Sequence, residues 1–328
     1  MIRIGVVGVG HLGQHHVRHL ANIPEAQLMG VFDMDMEQAA KIAERHKTRV
    51  YHSINEMADD CQAVTIAVPT PAHADVAKFF LSKGIHALVE KPLTATVAEA
   101  EQLIELARKK SLILQVGHIE RFNPAVREMA KYVSKPAFIE VSRLGPYDPR
   151  VSHVGVVLDL MIHDLDIILS MINEPVVRLD AVGGKVISDH EDIVKATLYF
   201  KGGCRVDLSA SRVTLKSYRK IRVFQPDSYL SLDYSERSLK IYRKKGPVLK
   251  SLLDIEIIRP RLRKVDPLEQ ELIHFLQCVK TGRPPLVSGE HGRDALELAF
   301  EILNNMALHD APHMAAVHMA PEKQGTSR

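Results

Sequence analysis

Cysteine is scarce in this chain of 328 residues, where Cys61, Cys204 and Cys278 stand far apart. No two of them have the close spacing of a redox or metal-binding pair, which is typical of proteins in the reducing cytoplasm. The sequence also lacks an apolar run of the roughly 20 residues needed to span a bilayer. Residues 1–10 are apolar, but their glycines indicate a strand that enters a loop, and no signal-peptide cleavage site follows.

A strong excess of charge of either sign is missing too, since the formal net charge is +3 and the isoelectric point is about 8.6. This balance argues against nucleic acid or an anionic membrane as the main partner. We find no internal repeat and no low-complexity linker. Hydrophobic residues make up 46% and charged residues 25%, as in soluble globular proteins, and the length predicts two domains with ample cores.

Residues 1–120 alternate short apolar runs with amphipathic stretches. The pattern predicts strands at residues 2–7, 27–33, 63–68, 86–90 and 112–116, and helices at residues 36–46, 72–83 and 97–110. Alternating strands and helices are typical of a doubly wound parallel sheet, and continuous apolar strands fit burial on both faces. We therefore predict an α/β protein whose first domain spans residues 1–120.

The pattern changes after residue 121, and it predicts a second domain of α+β type over residues 121–309. Helices are predicted at 123–132, 156–172, 267–280 and 292–308, and strands at 137–143, 177–186, 193–200, 205–211, 220–224, 229–234 and 239–242. Period-2 strands of this kind are typical of an open, mostly antiparallel sheet with one face covered by helices. Residues 310–328 are predicted to be a flexible tail.

A glycine-rich loop lies between the first strand and the first helix. In Gly8-Val9-Gly10-His11-Leu12-Gly13, the glycines allow a tight turn, close approach of a pyrophosphate, and close contact between helix and strand. Asp33 ends the next strand 20 residues after Gly13, where a carboxylate binds the ribose hydroxyls of NAD and repels the phosphate of NADP. We predict that NAD contacts Gly8, Gly10, His11, Leu12, Gly13 and Asp33.

Two further loops follow strands of the first domain. Pro69, Thr70 and His73 are predicted to line the nicotinamide side of the cofactor, although a plain turn with Pro71 in the first helical turn explains the same residues. Glu90-Lys91-Pro92 follows the strand at 86–90, where ligands bind in a doubly wound sheet, so Glu90 and Lys91 are predicted to lie beside the cofactor.

An aspartate and a histidine interrupt the apolar helix at 156–172. The spacing of four residues places Asp159 and His163 on one helix face, and burying such groups without a role is costly. Histidine exchanges a proton near neutral pH, and a carboxylate can orient its ring, with Asp164 and Asp166 as less attractive candidates. A charged stripe facing solvent is the alternative.

No convincing metal site is evident. His15 and His19 have a chelating spacing of four residues, but they share a helix with the glycine-rich loop and lack a third ligand nearby. We interpret them as a partly exposed helix face.

These motifs, together with Gly117-His118-Ile119-Glu120-Arg121-Phe122, resemble the Gfo/Idh/MocA family of oxidoreductases along nearly the whole chain. The resemblance implies a Rossmann domain followed by an open sheet that covers the active site with one face. The other face often forms a homodimer or homotetramer interface. It implies that Lys91 polarises the reacting hydroxyl, that His163 is the general acid/base, and that Asp159 holds His163 or binds substrate. One departure is Val154-Gly155-Val156-Val157, where many members carry a Gly-Gly pair.

The stretch from Gly117 to Val126 is similar to a branch that oxidises the 3-hydroxyl of UDP-N-acetylglucosamine, giving a ketone that is aminated for lipid A or other glycans. Substrate contacts are predicted for Lys91, Asp159, His163, Arg121, Asn123, Arg143 and Tyr147, with Arg150 as a further donor, since arginines suit a pyrophosphate. Alternatively Arg121 only braces the site by pairing with Glu90 or Glu120. A free polyol such as inositol is the alternative substrate. A catalytically silent NAD sensor is disfavoured because Lys91 and His163 are both present.

Overall fold

The computed structural model describes residues 1–310 except residues 153, 235, 247, 249 and 250. Within that part of the chain the backbone forms one sheet of six strands and one of nine. The predicted α/β class, with a parallel sheet first and a mostly antiparallel sheet second, is confirmed. The predicted tail lies outside the described residues except for Asp310, which ends a strand.

The first sheet is parallel throughout, in the order β3-β2-β1-β4-β5-β6. Its strands are β1 (Ile2–Val7), β2 (Ala26–Phe32), β3 (Arg49–Val50), β4 (Ala63–Ile66), β5 (His86–Glu90) and β6 (Leu114–Gly117). The strand order reverses between β1 and β4. Ligands bind at such a switch point, outside the carboxyl ends of the strands.

Helices cover both faces of the first sheet, which explains why its strands are apolar without alternation. One face carries α1 (Gly13–Leu20) and α2 (Met36–His46), and the other carries α3 (Ile54–Asp60), α4 (His73–Ser82) and α5 (Val97–Lys109). Helix α5 begins at a capping box in which Thr96 and Glu99 bind each other's backbone amides. This framework fixes the carboxyl edge of the sheet.

The second sheet has the order β14-β13-β12-β11-β7-β10-β9-β8-β15. Its strands are β7 (Phe138–Leu144), β8 (Val176–Lys185), β9 (Ile193–Phe200), β10 (Arg205–Ser211), β11 (Tyr218–Phe224), β12 (Ser228–Asp233), β13 (Ser238–Lys244), β14 (Ile255–Ile258) and β15 (Met306–Asp310). Two pairings, β7 with β10 and β8 with β15, are parallel, and the others are antiparallel.

One face of the second sheet carries a helical layer, and its core residues alternate along each strand as in β9. The layer comprises α6 (Pro124–Ala130), a π-helical turn (Val157–Met161), α7 (Ile162–Met171) and α9 (Gly289–Asn305). The predicted single helix over 156–172 was therefore wrong in its first turn, which is π-helical. Such turns are frequent at functional sites.

Helix α8 (Pro267–Thr281) returns to the first sheet. Its Leu272, Phe275 and Leu276 share a buried cluster with β1 and α1. The domain boundary near residue 120 stays a prediction. Helix α8 lies after that boundary in the chain, but it packs in the core of the first sheet.

Most predicted elements differ from the structure by one or two residues at their ends. Three short elements, β3, β14 and α3, were missed. The predicted helix over 292–308 was wrong at both ends, since α9 starts at Gly289 and residues 306–310 form β15 beside β8. In the part described, no helix is long and apolar enough to cross a membrane.

Candidate active site

Lys91 occupies the centre of the site, directly after β5. Its Nζ donates to the backbone oxygen of Asp159 at 2.7 Å and to Asp159 Oδ1 at 3.2 Å. Both side chains are largely covered, with 15% and 20% of their surfaces exposed. An ammonium group has three N–H donors, so one remains for a substrate oxygen. The structure thus links the carboxyl edge of the first sheet to the π-helical turn of the second domain.

The glycine-rich loop has the geometry that a dinucleotide requires. Gly8 has a φ of +83°, which favours glycine, and a Cβ on Gly13 would overlap the carbonyl oxygen of Gly8. A Cβ on Gly10, by contrast, would meet no heavy atom within 4 Å. Gly10 therefore borders open space at the start of α1, which fits a pyrophosphate held at a helix amino terminus.

Asp33 braces this loop from the end of β2. Its Oδ2 accepts a hydrogen bond from the amide of Val9 at 2.7 Å, and its Oδ1 accepts one from the amide of Asp35 at 3.0 Å. The carboxylate stands beside the glycine-rich loop, where the ribose of NAD binds in this type of sheet. The residues present thus fit NAD, with Gly8, Gly10 and Gly13 near the pyrophosphate and Asp33 near the ribose.

Replacing Gly10 with alanine tests this cradle. Because the new methyl group meets no protein atom, we expect the thermal unfolding midpoint of Gly10→Ala to stay at the wild-type value. We expect its Kd for NAD, measured by calorimetry, to rise by about tenfold or more, equivalent to the loss of one charge-assisted hydrogen bond. Gly13→Ala is the matched contrast and should lose stability. Wild-type NAD affinity in Gly10→Ala would contradict the assignment.

Two residues predicted to contact the cofactor, His73 and Glu90, also hold the neighbouring loops in place. The ring nitrogens of His73 lie 2.8 Å from the carbonyl oxygens of Pro92 and Val68, and the ring is 1% exposed. The carboxylate of Glu90 contacts Nε2 of buried His16 at 2.9 Å and accepts a bond from the amide of Lys91 at 3.3 Å. Both residues therefore position the backbone around Lys91.

The other predicted cofactor residues lie in loops that follow strands of the first sheet. Pro69 and Thr70 stand at a 3-10 turn that precedes α4, with Pro71 in its first turn, as the simpler alternative predicted. Leu12 is 47% exposed in the glycine-rich loop. The ring of His11 lies 2.9 Å from a guanidinium nitrogen of Arg150, so a loop of the second domain touches the phosphate loop.

His163 lies at the start of α7 and has an unusual environment. Its Nδ1 is buried and has no hydrogen-bond partner in the described part of the chain. Its Nε2 does not belong to the buried atoms that lack a partner. Burial lowers the pKa of His163 well below its ordinary value of 6.5, and the charges of Lys91 and Arg143 act in the same direction. The ring is therefore neutral near pH 7. The carboxylate of Asp159 contacts Lys91, and within the described residues no hydrogen bond joins it to His163.

His118, which the sequence placed in a motif without giving it a role, packs behind His163. The two rings meet edge to face with centroids 6.1 Å apart. His118 is 0% exposed, and burial, assisted by the charge of Lys91, lowers its pKa to about 3. Its two ring nitrogens have no hydrogen-bond partner among the described residues. The signal in the sequence was its position directly after β6, because doubly wound sheets bind ligands at the carboxyl ends of their strands.

Arg143 differs from its predicted role as a substrate donor. Its guanidinium makes a two-pronged ion pair with Asp164 at 2.7 and 2.8 Å and contacts Glu120 Oε1 at 3.1 Å. Only 3% of its side chain is exposed. Buried and paired with two carboxylates, Arg143 fixes Asp164 next to His163.

Arg121 braces the site as well, but through partners that the sequence did not indicate. Its guanidinium donates to Asp166 Oδ1 at 3.2 Å and to the backbone oxygen of Leu286 at 3.3 Å, and not to Glu90 or Glu120. Burial raises the pKa of Asp166 to about 7, although the charge of Arg121 opposes this. Arg121 therefore joins α7 to the chain that follows α8.

The remaining predicted substrate residues lie further out. Asn123 begins α6, where its Oδ1 accepts from the amide of Ala125 and its Nδ2 donates to Glu120 Oε2 at 3.0 Å. The ring of Tyr147 lies under the guanidinium of Arg212, 5.3 Å away. In the described part of the chain, neither side chain makes a hydrogen bond or ring contact with Lys91 or His163.

The departure at Val154-Gly155-Val156-Val157 has a local explanation. A Cβ on Gly155 would overlap the carboxylate of Glu191, which accepts a hydrogen bond from the amide of Val157 at 3.2 Å. The single glycine therefore lets Glu191 approach the backbone and bind the first amide of the π-helical turn. This contact positions the turn that carries Asp159.

Comparison with known proteins agrees with this geometry. Residues 2–118 match the family described as "Oxidoreductase family, NAD-binding Rossmann fold", and residues 140–245 match the "GFO/IDH/MocA C-terminal domain". The fold and the site thus define an oxidoreductase that uses NAD. The chain belongs to the Gfo/Idh/MocA family, which confirms the resemblance found in the sequence.

Two relatives span nearly the whole chain. The UDP-N-acetylglucosamine 3-dehydrogenase of Acidithiobacillus ferrooxidans is 35% identical over 302 residues, which cover 92% of this chain and 96% of that protein. A crystal form of that enzyme superposes with a TM-score of 0.88 over 93% of this chain and 97% of the other. The myo-inositol 2-dehydrogenase of Thermotoga maritima is 28% identical and covers 91% of this chain and 94% of its own.

Proposed function

We propose that this protein oxidises the 3-hydroxyl of UDP-N-acetylglucosamine with NAD to give the 3-oxo sugar. The observation that carries the proposal is the 35% identity, over 92% of the chain, to a UDP-N-acetylglucosamine 3-dehydrogenase. The pairing of Lys91 with the turn beside His163 supplies the groups that alcohol oxidation requires.

The roles of these residues follow from the charge that develops at the reacting oxygen. NAD, when bound, accepts the hydride from the carbon of the alcohol. The unused N–H of Lys91 stabilises the negative charge on the oxygen, and Nε2 of neutral His163 accepts the hydroxyl proton. Asp159 holds Lys91 through both its backbone and its side-chain oxygen.

Oxidation of a free polyol is the second candidate, since a myo-inositol 2-dehydrogenase is 28% identical over nearly the full length. The two candidates are separated by kcat/KM values for UDP-N-acetylglucosamine and myo-inositol, measured with NAD as the appearance of reduced nicotinamide. We expect kcat/KM for the nucleotide sugar to exceed that for myo-inositol by about 10³-fold or more. A site that binds the charged groups of a nucleotide gains several charge-assisted hydrogen bonds, which myo-inositol cannot form. A preference for myo-inositol would overturn the proposal. Oxidation of neither substrate would favour the NAD sensor.

We also propose that the open face of the second sheet joins copies of this chain. Aromatic rings of four neighbouring strands stack across that face, with centroids 4.9 to 5.6 Å apart, namely Phe138, Phe224, Tyr229 and Tyr242. Partly exposed rings in such a row favour association. Light scattering of the purified chain should give the mass of a dimer or tetramer, and a monomer at micromolar concentration would refute this.

The proposed reaction also places the enzyme upstream of an amination step. Its product carries a ketone where an amino group can be introduced, as amino sugars for lipid A or other glycans require. Such nucleotide sugars and NAD belong to the cytoplasm, where we propose that the protein acts. Detection of the 3-amino sugar nucleotide after adding an aminotransferase and an amino donor tests this placement.

A further inference from the structure

Arg121 and Arg143 are both occupied by buried carboxylates, so a diphosphate on the substrate requires other cations. A cavity of about 890 Å³ on the side of Asn123 provides them. It lies between the start of α6, the turn joining β12 to β13, and the extended segment that runs from β14 to α8. Its volume falls in the range of sites for small ligands.

The charge of this cavity is strongly one-sided. Five cations line it, namely Arg237, Lys240, Arg259, Arg263 and Lys264. Two carboxylates, Glu236 and Asp266, also border it. Asp266 is engaged at the start of α8, where it caps the amides of that helix.

None of these five cations has an ion-pair partner among the residues that the structure describes. Several exposed arginines elsewhere in the chain do have a partner, as Arg178 has Asp180, Arg222 has Glu140 and Arg243 has Glu256. Five cations beside only two carboxylates attract an anion, and arginines bind phosphate oxygens in pairs.

The cavity also has the apolar surface that a nucleoside needs. Pro124, Leu239 and Leu262 line it together with the ring of Tyr234, whose hydroxyl is buried without a hydrogen-bond partner in the described part of the chain. A cavity that served inorganic phosphate alone would not require this wall. A ring and an anion bound side by side match a nucleoside diphosphate.

A short series of contacts connects the cavity to the reacting centre. Asn123, on the cavity wall, donates to Glu120 at 3.0 Å, and Glu120 accepts from Arg143 at 3.1 Å. Arg143 pairs with Asp164, which follows His163 in the chain, and its guanidinium also lies 5.3 Å from the ring of Tyr234. A sugar nucleotide is elongated, with its diphosphate on one side of the sugar, and suits two neighbouring sites.

We propose that this cavity binds the nucleoside diphosphate of the substrate, with Arg259 and Arg263 as its main phosphate ligands. The proposal rests on the proposed function, because it states where the nucleotide part of the proposed substrate binds. In this proposal the segment from β14 to α8 gives the enzyme its preference for nucleotide sugars over free polyols.

The test uses the full chain and UDP alone as the probe. Calorimetry should show UDP binding to the wild type, and the double variant Arg259→Gln/Arg263→Gln should raise the Kd by about tenfold for each arginine. The same variant should raise KM for UDP-N-acetylglucosamine by a similar factor while kcat and the Kd for NAD stay near wild type. All substituted side chains are exposed, so stability should be retained.

Arg261→Gln/Arg283→Gln is the matched control, since it removes the same charge from exposed side chains outside the cavity lining. It should leave UDP binding and KM unchanged. The proposal is overturned if the wild type does not bind UDP, if the cavity variant binds it normally, or if the control loses as much affinity.

The two levels of inference fail separately. Loss of UDP binding in the cavity variant, in a protein that does not oxidise UDP-N-acetylglucosamine, would uphold the nucleotide site and refute the proposed reaction. Oxidation of UDP-N-acetylglucosamine with an unchanged KM in that variant would uphold the reaction and refute the nucleotide site.

Discussion

Replacing Lys91 with methionine should lower kcat by about 10²–10³-fold, the usual effect of removing one donor that stabilises a developing oxyanion. Methionine keeps much of the apolar length of the side chain and removes the charge. Since Lys91 also holds Asp159 by two hydrogen bonds, the variant leaves that partly exposed carboxylate to water. Removing one partner of a largely covered ion pair costs more than the ~1 kcal/mol of an exposed pair, so we expect a lower thermal unfolding midpoint, and the kinetics are measured well below it.

The NAD affinity of Lys91→Met distinguishes a catalytic role from a structural one. We expect its Kd for NAD to remain within a few fold of wild type, because the glycine-rich loop and Asp33 are untouched. Lys83→Met, an exposed lysine at the end of α4, is the matched control and should show wild-type kinetics. Near-normal turnover of Lys91→Met would remove Lys91 from the mechanism.

His163→Asn should lower kcat/KM by about 10²–10⁴-fold, the range for loss of a general base. The pH profile adds a sharper expectation. Because burial and the charges of Lys91 and Arg143 lower the pKa of His163, the wild-type ring stays neutral as the pH falls below 6.5. Oxidation needs the neutral ring, so kcat/KM should hold through that region and decline only at lower pH.

The decline at low pH should disappear in His163→Asn if His163 causes it. His52→Asn changes an exposed histidine of the first domain and serves as the control, with rate and pH profile expected to match wild type. A decline centred at or above pH 6.5 in the wild type, or the same decline in His163→Asn, would show that another group accepts the proton.

Sequence reasoning succeeded where a function depends on residues close together in the chain. The glycine-rich loop, the aspartate after β2 and the lysine after β5 are each fixed by a strand end and its next few residues. A parallel sheet then brings those ends to one edge, so their proximity followed from the fold class.

Arginine partners could not be predicted in this way. Arg121 was predicted to meet the substrate because it follows the last strand of the first sheet, and Arg143 because arginines suit a pyrophosphate. Each meets a carboxylate of α7 distant in sequence. Burial decides which ion pairs form. An unpaired guanidinium in the interior is costly, so each buried arginine pairs with a carboxylate that the tertiary fold brings close to it.

The chain after α9 shows the limit of periodicity. Met306-Ala307-Leu308 continues an apolar helical pattern, so the helix was predicted to run to residue 308. The structure pairs these residues with β8 instead, where backbone hydrogen bonds to a sheet edge replace those of a further helical turn. A short apolar run does not distinguish the two states, and the tertiary partner decides.

The most direct test uses UDP-N-acetylglucosamine that carries deuterium on carbon 3 of the sugar. Incubated with this protein and NAD, it should give reduced nicotinamide carrying the deuterium and a sugar nucleotide with a ketone that hydroxylamine traps, with both products identified by mass spectrometry. Both products should form about 10²–10³-fold more slowly with Lys91→Met at the same enzyme concentration. Reduced nicotinamide without deuterium, or no reduction at all by the wild type, would contradict the proposed reaction.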